Sequence, residues 1–470
     1  MKLYRSLQYV ALGAVLLSSC KITRKYEQPE LSVIKADNLY RGAESTDTSS
    51  IANLPWTELF TDPKLQALIS EGLANNPDMK IALQRINEAQ ALLQQSKMAF
   101  LPSLTFSPNV TLSQTSRAGL NLPPNININL KTTTYQVGIS TNWEADIWGK
   151  LASAKRASQA TLMQTEASRK ALQTQLIAAI ASSYYGLLAL DQQLAITEET
   201  IELRRKTINT LQKLKESAIV TGAAVVQSEA NLYAAEVSLP DLKRAIRELE
   251  NSLNVILGRY PQPIDRNRLE DQQVRADLSA GIPLQLLQNR PDVAAAEQGY
   301  RAAFENVNYA KTFFYPSLAL TAGSAGLSTL STNSLFSNSL FYSLAAGLTQ
   351  PIFAKGTNKA RLRTAEAQRE MALQSFYKSL LVAGQEVSDA LFSYEMALEK
   401  EATRRKQIES LEKAVNFTEQ LLMYSSATNY TDVLTSEQAL MAARLAEIGD
   451  KQQQLLSIVD LYRALGGGWK

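Results

Sequence analysis

From Leu104 to Ser113 apolar and polar side chains take turns: Leu104, Phe106, Val110 and Leu112 alternate with Thr105, Ser107, Asn109, Thr111 and Ser113. A period of two puts every second side chain on one face of a strand. Gly119-Leu120-Asn121-Leu122-Pro123-Pro124 turns the chain, after which Tyr135, Val137, Ile139 and Trp143 alternate with Gln136, Gly138, Ser140 and Asn142. The two strands predict a hairpin over about 103–144. Leu318 to Leu327, a Ser/Asn loop, and Leu340 to Leu348 repeat the design over about 317–350. Each strand has about the 9–11 residues that a tilted strand needs to cross a bilayer, and Trp143, Phe341 and Tyr342 are suited to the interface. A soluble hairpin with one face on a core fits the same alternation. The edges separate the two readings, because four strands cannot close and open edges are not tolerated in lipid. A membrane reading therefore demands several copies. Two give eight strands, a barrel filled by its own side chains; three give twelve, with room for a wide lumen.

Elsewhere the period lengthens. From Lys150 to Ser217 no Pro occurs and only Gly186 interrupts, so about 68 residues predict one helix of roughly 100 Å. Lys359 to Tyr424 does likewise. Ile180, Leu187, Leu194, Ile201 and Ile208 recur every seven residues along the first run. Leu380, Val387, Tyr394, Ile408, Val415 and Leu422 keep the same spacing along the second, broken only by Glu401. Sustained heptads mean coiled-coil packing. Each long helix is expected to return through a second, Ala223 to Leu257 and Asp432 to Leu465. Shorter helices, Asp78 to Ala99 and Asp292 to Lys311, lead into the strands.

These segments are two copies of one plan. Asn76-Pro77-Asp78 returns as Arg290-Pro291-Asp292, and Phe100-Leu101-Pro102-Ser103-Leu104 as Phe314-Tyr315-Pro316-Ser317-Leu318, both 214 positions on. Gly149 returns as Gly356 and Leu257-Gly258 as Leu465-Gly466. A duplication this long builds one symmetric, interwoven body. The chain divides into a signal peptide at 1–19, an N-terminal segment at 20–55, and repeats at 56–262 and 263–470. The longer first hairpin loop places a length difference where it is harmless.

Composition narrows the chemistry. Lys+Arg 48 against Asp+Glu 45 indicates neither a nucleic-acid partner nor an acidic tail. Runs such as Arg204-Arg205-Lys206 and Arg404-Arg405-Lys406 predict the wet face of a coil. The chain has no His, which removes the commonest general base and metal ligand. With no second Cys, no Gly-rich phosphate loop and acids dispersed along helices, nothing nominates a catalytic or metal site. The chain is not expected to be an enzyme.

Lys2, Arg5, the apolar run Tyr9 to Leu17 and then Leu17-Ser18-Ser19-Cys20 make an export signal, too short to span a membrane as a helix. The only cysteine stands at its end, with no disulfide partner. Leu-Ser-Ser-Cys resembles the bacterial lipobox, which implies a diacylglycerol on Cys20. Its methylenes, at about 0.8 kcal/mol each, would hold the chain in a leaflet. Lys21, in the place where an Asp would retain a lipoprotein at the inner membrane, implies the outer one.

The lipobox, the duplicated Asn-Pro-Asp and Arg-Pro-Asp heads, the Pro-Ser-Leu entries to the hairpins, Trp143-Glu144-Ala145-Asp146-Ile147-Trp148-Gly149 and the closing Leu461-Tyr462-Arg463-Ala464-Leu465-Gly466-Gly467-Gly468-Trp469 resemble the outer-membrane efflux lipoproteins of the TolC/OprM type. The likeness covers nearly the whole mature chain. It implies an α+β membrane protein: a homotrimer whose twelve strands form a β-barrel in the outer membrane, continuous with a long α-helical coiled-coil barrel across the periplasm. It also implies docking to a periplasmic adaptor and to an inner-membrane pump, expected to be of the RND type. No cofactor beyond the lipid is implied.

In that family the periplasmic mouth closes where paired helices turn. The matching stretches run from Ala218 through Thr221 and Gly222 to Val225, and from Ser425 to Leu434. Relatives often carry an apolar constricting residue, then an Asp and an Arg, at positions matching Thr431, Thr435 and Gln438. This chain has neutral polar residues at all three, a departure from the family's pattern that argues against a charge-locked or apolar gate at those positions. Asp432 is the carboxylate that a three-fold axis would gather, although Thr431 and Asp432 also suit helix capping. Two readings follow, a passive exit duct for small molecules or for type I secretion, and a lipid-anchored periplasmic coiled-coil scaffold. Conductance in planar bilayers separates them.

Overall fold

The computed structural model describes residues 22–29, 51–120, 128–272, 289–331, 337–424 and 430–469. Cys20, the signal segment and the second turn at 425–429 lie outside them. The described elements run α1 (Trp56–Leu59), α2 (Pro63–Asn75), α3 (Pro77–Met98), β1 (Ser103–Gln114), β2 (Lys131–Ala145), α4 (Lys150–Glu216), α5 (Gly222–Ile256), α6 (Pro291–Thr312), β3 (Ser317–Thr329), β4 (Leu340–Ser343), β5 (Ala346–Thr349), α7 (Thr357–Tyr424) and α8 (Tyr430–Ala464).

Lengths recur along that order. α3 and α6 each have 22 residues, α4 and α7 have 67 and 68, and α5 and α8 have 35 each. The helix starts are set by backbone that only glycine adopts cheaply: Gly149 (φ 73) precedes α4 and Gly356 (φ 80) precedes α7. The returning helices end alike. After α5 the Gly258 N–H reaches the Val255 carbonyl and Arg259 N–H the Asn254 carbonyl; after α8 Gly466 reaches Arg463 and Gly467 reaches Tyr462, all within 3.0 Å. These are Schellman closures, with Gly258 at φ 72 and Gly466 at φ 78. A Cβ on either glycine would come within 2.6 Å of the Asn75 carbonyl oxygen or 2.8 Å of the Asn289 oxygen, so neither tolerates a side chain.

The chain forms two compact units, and each draws on both sequence halves. One comprises Met1–Pro29, Ile86–Gln164 and Glu297–Ser375. It holds every described strand, in one antiparallel sheet of order β1-β2-β3 with β4 and β5 both on the far side of β3. Residues 22–29 strap this unit: the Arg24 N–H donates to the Asn308 side-chain oxygen at 3.1 Å and Asn308 Nδ2 returns to the Arg24 carbonyl at 2.9 Å. The Tyr26 ring meets Phe304 edge-on at 5.6 Å.

The other unit comprises Glu30–Arg85, Thr165–Ala296 and Phe376–Lys470. Its main core gathers Leu65, Ile69, Ile177, Ile180, Tyr184, Leu187, Leu253, Leu257, Val387, Leu461 and Leu465. Each such side chain removed from water contributes about 1.5–3 kcal/mol. Ile180, Leu187, Ile201 and Ile208, from the first heptad column, are buried, as are Leu380 and Val387 from the second. A buried polar knot completes the core, with Tyr184 Oη, Gln272 Nε2 and Asn267 Nδ2 donating to Asp62 at 2.7, 2.8 and 2.9 Å.

The sheet departs from expectation in two ways. Its first three strands have 12, 15 and 13 residues, longer than a membrane crossing requires. The fourth strand is broken into β4 and β5, because β3 carries one extra residue between Leu320 and Ser324. Ser324 pairs with Ser343, but Leu320 pairs with Ala346. The same residue shifts the register of β2 on β3 between Thr141 and Trp143, which is the signature of a β-bulge in β3.

Candidate channel wall and aperture

Within the sheet the alternation becomes two faces. Register places Leu104, Phe106, Val110 and Leu112 of β1 beside Thr141, Ile139, Tyr135 and Thr133 of β2. Leu327 and Ala325 of β3 then lie beside Leu340 and Tyr342 of β4, on the same side. Thr105, Ser107, Asn109, Gln136, Ser140 and Ser328 fall on the other. The apolar side is bare: Leu104, Phe106, Val110, Leu112, Leu340, Tyr342 and Leu348 are all exposed. A continuous apolar face of this extent demands a lipid or protein cover. The opposite face suits water. Both outer strands keep an unpaired edge, β1 on one side and β4 with β5 on the other.

Aromatic anchors secure the foot of the sheet. Trp143 Nε1 donates to the Phe100 carbonyl at 2.9 Å, and Trp148 Nε1 to the Pro316 carbonyl at 2.7 Å. Asp146 caps α4 by accepting the backbone N–H groups of Leu151 and Ala152 at 2.8 and 2.9 Å. Among the described residues no group of acids or cysteines is arranged to hold a metal, and no helix is long and apolar enough to cross a membrane.

The first helix turn closes tightly. Ile219 N–H donates to the Leu214 carbonyl and Ala218 N–H to Lys215, both at 2.9 Å, with Ala218 itself at φ 60. Thr221 is the N-cap of α5 without a side-chain bond to it, and Gly222 is the first helical residue. Thr221 and Gly222 are exposed. Of the second turn, the described part begins at Tyr430. Thr431 and Asp432 are exposed in the first turn of α8, where an acid suits the helix dipole. Thr435 Oγ1 bonds back to the Thr431 carbonyl at 2.8 Å, and Ser436 Oγ to Asp432 at 2.9 Å. Gln438 Nε2 reaches across to Asn231 Oδ1 at 3.1 Å.

Thr431, Asp432, Thr435 and Gln438 thus share one end of α8, and Gln438 ties that end to Asn231 of the other returning helix. Sequence reasoning missed what surrounds it. Leu211, Val225, Tyr430, Val433 and Leu434 form a small apolar plug, and Tyr430 Oη bonds Ser228 Oγ at 2.9 Å. Arg204 is only 9% exposed, its guanidinium held by the Asn231 carbonyl and near Met441 Sδ at 3.9 Å. The expectation of a wholly wet Arg204-Arg205-Lys206 run is therefore corrected at its first residue, since only Arg205 and Lys206 are exposed. Arg404 departs likewise, half-buried and 2.8 Å from Asp450. Heptad position was the available signal: Arg204 lies three residues beyond Ile201 and four before Ile208, on the packed stripe. Burial pushes the Glu437 carboxyl above its ordinary value, with Glu419 adding to the push and Arg204 opposing it.

The comparisons with known proteins agree with this geometry. The family model described as outer membrane efflux protein matches residues 68–259 and 282–467. The toluene efflux pump outer membrane protein TtgC of Pseudomonas putida is 28% identical, over 99% of this chain and 96% of its own. The probable outer membrane lipoprotein SilC of Salmonella typhimurium is 26% identical, over 97% of each. The crystal structure of the MtrE outer membrane channel of Neisseria gonorrhoeae, in its open state, superposes with a TM-score of 0.82 at 25% identity, covering 96% of this chain and 99% of that one. With a two-faced strand sheet, long paired helices and a match along both halves, the chain belongs to the outer membrane efflux protein family and is an efflux protein of the outer membrane.

Proposed function

We propose that this protein is the exit duct of a tripartite efflux system. Three copies close twelve strand positions into a barrel through the outer membrane, and their paired helices wall a water-filled passage in the periplasm. A diacylglycerol on Cys20 anchors each copy in the inner leaflet. A periplasmic adaptor grips the helical portion, and an inner-membrane pump of the RND type supplies the energy and chooses the cargo, a drug or another small molecule. The chain itself does no chemistry and needs no cofactor beyond its lipid.

The observation that carries this reading is the sheet. It has one exposed apolar face, one polar face and two open edges, an arrangement that is stable in lipid only when copies close the edges on one another. The described mouth supports a latch made of amides, hydroxyls and one buried guanidinium, Gln438 to Asn231, Tyr430 to Ser228 and Arg204 to the Asn231 carbonyl. Asp432 stands beside it.

Single-channel recording of the purified protein in planar bilayers tests this. The duct predicts heat-modifiable trimers and a conductance that rises when Gln438 is replaced by Ala. A protein recovered only as a soluble monomer, silent in bilayers, overturns it in favour of a periplasmic scaffold.

A further inference from the structure

Where the sheet meets its helices, cations gather with few acids to balance them. The strap at 22–29 lies on α6 there, with the Tyr26 ring against Tyr300 and Phe304. The Arg24 N–H and carbonyl grip the Asn308 side chain at 3.1 and 2.9 Å, and Lys311 stands three residues on, hence on the same face of α6. Val307 and Ala310 pack on Ala365 of α7, and Arg369 follows Ala365 by one turn. The three cations act on one another. Burial pushes the Lys311 ammonium below its ordinary value and Arg24 and Arg369 push it further, while Glu366 is the one carboxylate acting against them.

Other charges of this region are already matched. Arg156 pairs with Glu305 at 2.9 Å and Lys150 with Glu144 at 2.9 Å, and Arg361 lies over the Phe313 ring at 3.8 Å. Lys311 belongs to the last turn of α6, where a helix dipole favours a cation, but that accounts for neither Arg24 nor Arg369. Like charges brought together on a half-buried surface repel until an anion joins them.

Position names the anion. A Cβ on Gly149, between β2 and α4, would come within 3.4 Å of Thr23 Cγ2, so the strap touches the foot of the sheet one residue before Arg24. Three residues separate Thr23 from Cys20, a reach of at most about 11 Å, and acyl chains carried at Cys20 therefore enter the leaflet beside this corner. The bare apolar side of the sheet begins here as well, at Leu104. We propose that Arg24, Lys311 and Arg369 bind the phosphate of an anionic phospholipid headgroup, so that one lipid of the inner leaflet fastens the strap to α6 and α7. Guanidinium forks match phosphate oxygens two at a time and the ammonium adds a point charge. A zwitterionic headgroup brings its own cation, which the cluster repels. The site rests on the reading of the chain as a lipid-anchored duct and adds to it a lipid that is held rather than attached.

Native mass spectrometry of the full-length lipoprotein in detergent, titrated with phosphatidylglycerol or with phosphatidylcholine of the same acyl chains, tests the site. The unsubstituted protein should retain phosphatidylglycerol in preference. Each of Arg24→Gln, Lys311→Gln and Arg369→Gln should weaken that retention by roughly fivefold, and the triple variant should lose the preference. Lys206→Gln, at an exposed position of α4 in the other unit, should leave it unchanged. Helix content of the same samples reports folding; where a variant misfolds, the preference of the unsubstituted protein and its competition with inorganic phosphate decide. Equal retention of the two lipids, or a folded triple variant that keeps the preference, overturns the site and leaves the duct standing. Displacement of the lipid by inorganic phosphate at about the lipid's own concentration assigns the cluster to free phosphate and overturns the headgroup. A protein that stays soluble without detergent and retains neither lipid overturns the duct as well.

Discussion

Arg290 donates from Nη1 to the carbonyl of Ala464, the last residue of α8, at 2.8 Å, and Asn76 Nδ2 does the same for Ile256, the last residue of α5, also at 2.8 Å. The Asn-Pro-Asp and Arg-Pro-Asp heads are thus fasteners, each satisfying a carbonyl that its helix end leaves without an intrahelical partner. The two differ in what else they hold. Asn76 Oδ1 accepts the Met79 N–H at 3.0 Å as an N-cap, whereas Arg290 pairs with Asp292 at 2.6 Å and with Glu386 at 2.7 Å.

Removing the second fastener should cost more than removing the first. Arg290→Ala leaves Asp292 without its cation and Glu386 with Arg463 alone, 2.9 Å away, in a site where Arg290 itself is 6% exposed, a loss of about 3 kcal/mol. Asn76→Ala forfeits neutral bonds, about 1–3 kcal/mol. Urea denaturation of the detergent-solubilised protein, followed by helix content, should rank them in that order. Asp292 adds a pH signature. Burial works to raise its carboxyl, and Arg290 overrides this and holds it below the ordinary range. The folded value is depressed, so this stability is present above the unfolded carboxylate pKa of about 3.9 and is lost as pH falls through the folded one. Asp292→Asn should flatten that acid limb.

Ala218 occupies the left-handed position of the closing turn after α4, at φ 60. Glycine takes that conformation without the Cβ clash, worth about 1 kcal/mol. Ala218→Gly should therefore slow hydrogen exchange across 213–222 by about fivefold while leaving the sheet unchanged. An acceleration would mean that Cβ packing, not backbone strain, governs the turn.

Much of this was legible in the sequence, for identifiable reasons. Heptads without proline can fold only one way, and the first long helix ends at Glu216 where Ser217 was expected. Pro240 sits inside α5 because its position is exposed and the helix is fastened on both sides of it. Alternation gave the faces of the strands. It could not give the bulge in β3, since one extra residue leaves no compositional trace. The aperture was less legible. Thr431, Asp432, Thr435 and Gln438 came from family resemblance, whereas Arg204, Asn231 and Tyr430 act through packing between helices distant in sequence. A basic run looks solvated until a neighbouring helix covers one member of it.

The apolar face makes a prediction by contrast. Phe106→Arg puts a cation on the apolar side, which meets lipid in the proposed duct, at a cost of about 2–4 kcal/mol near the bilayer midplane, and should reduce the protein recovered in outer membranes several-fold. Ser107→Arg, the next residue, lies on the polar side and should insert normally while altering ion selectivity in bilayers. Equal effects of both would remove the distinction between faces.

Glu437 should make the mouth respond to pH. Its carboxyl is raised by burial and by Glu419 of α7, against Arg204 of α4. Because the folded value lies above the unfolded one, the folded mouth binds the proton more tightly, and its packing weakens as pH rises from about 4 through the folded pKa. Hydrogen exchange over 204–211 and 430–441 should be slower at pH 4.5 than at pH 7.5 after correction for intrinsic rates, and channel openings rarer. Glu437→Gln removes the charge without changing the shape and should show the acid behaviour at both values. A variant that still speeds up between them would place the responsible group elsewhere, with Glu419→Gln as the next substitution to measure.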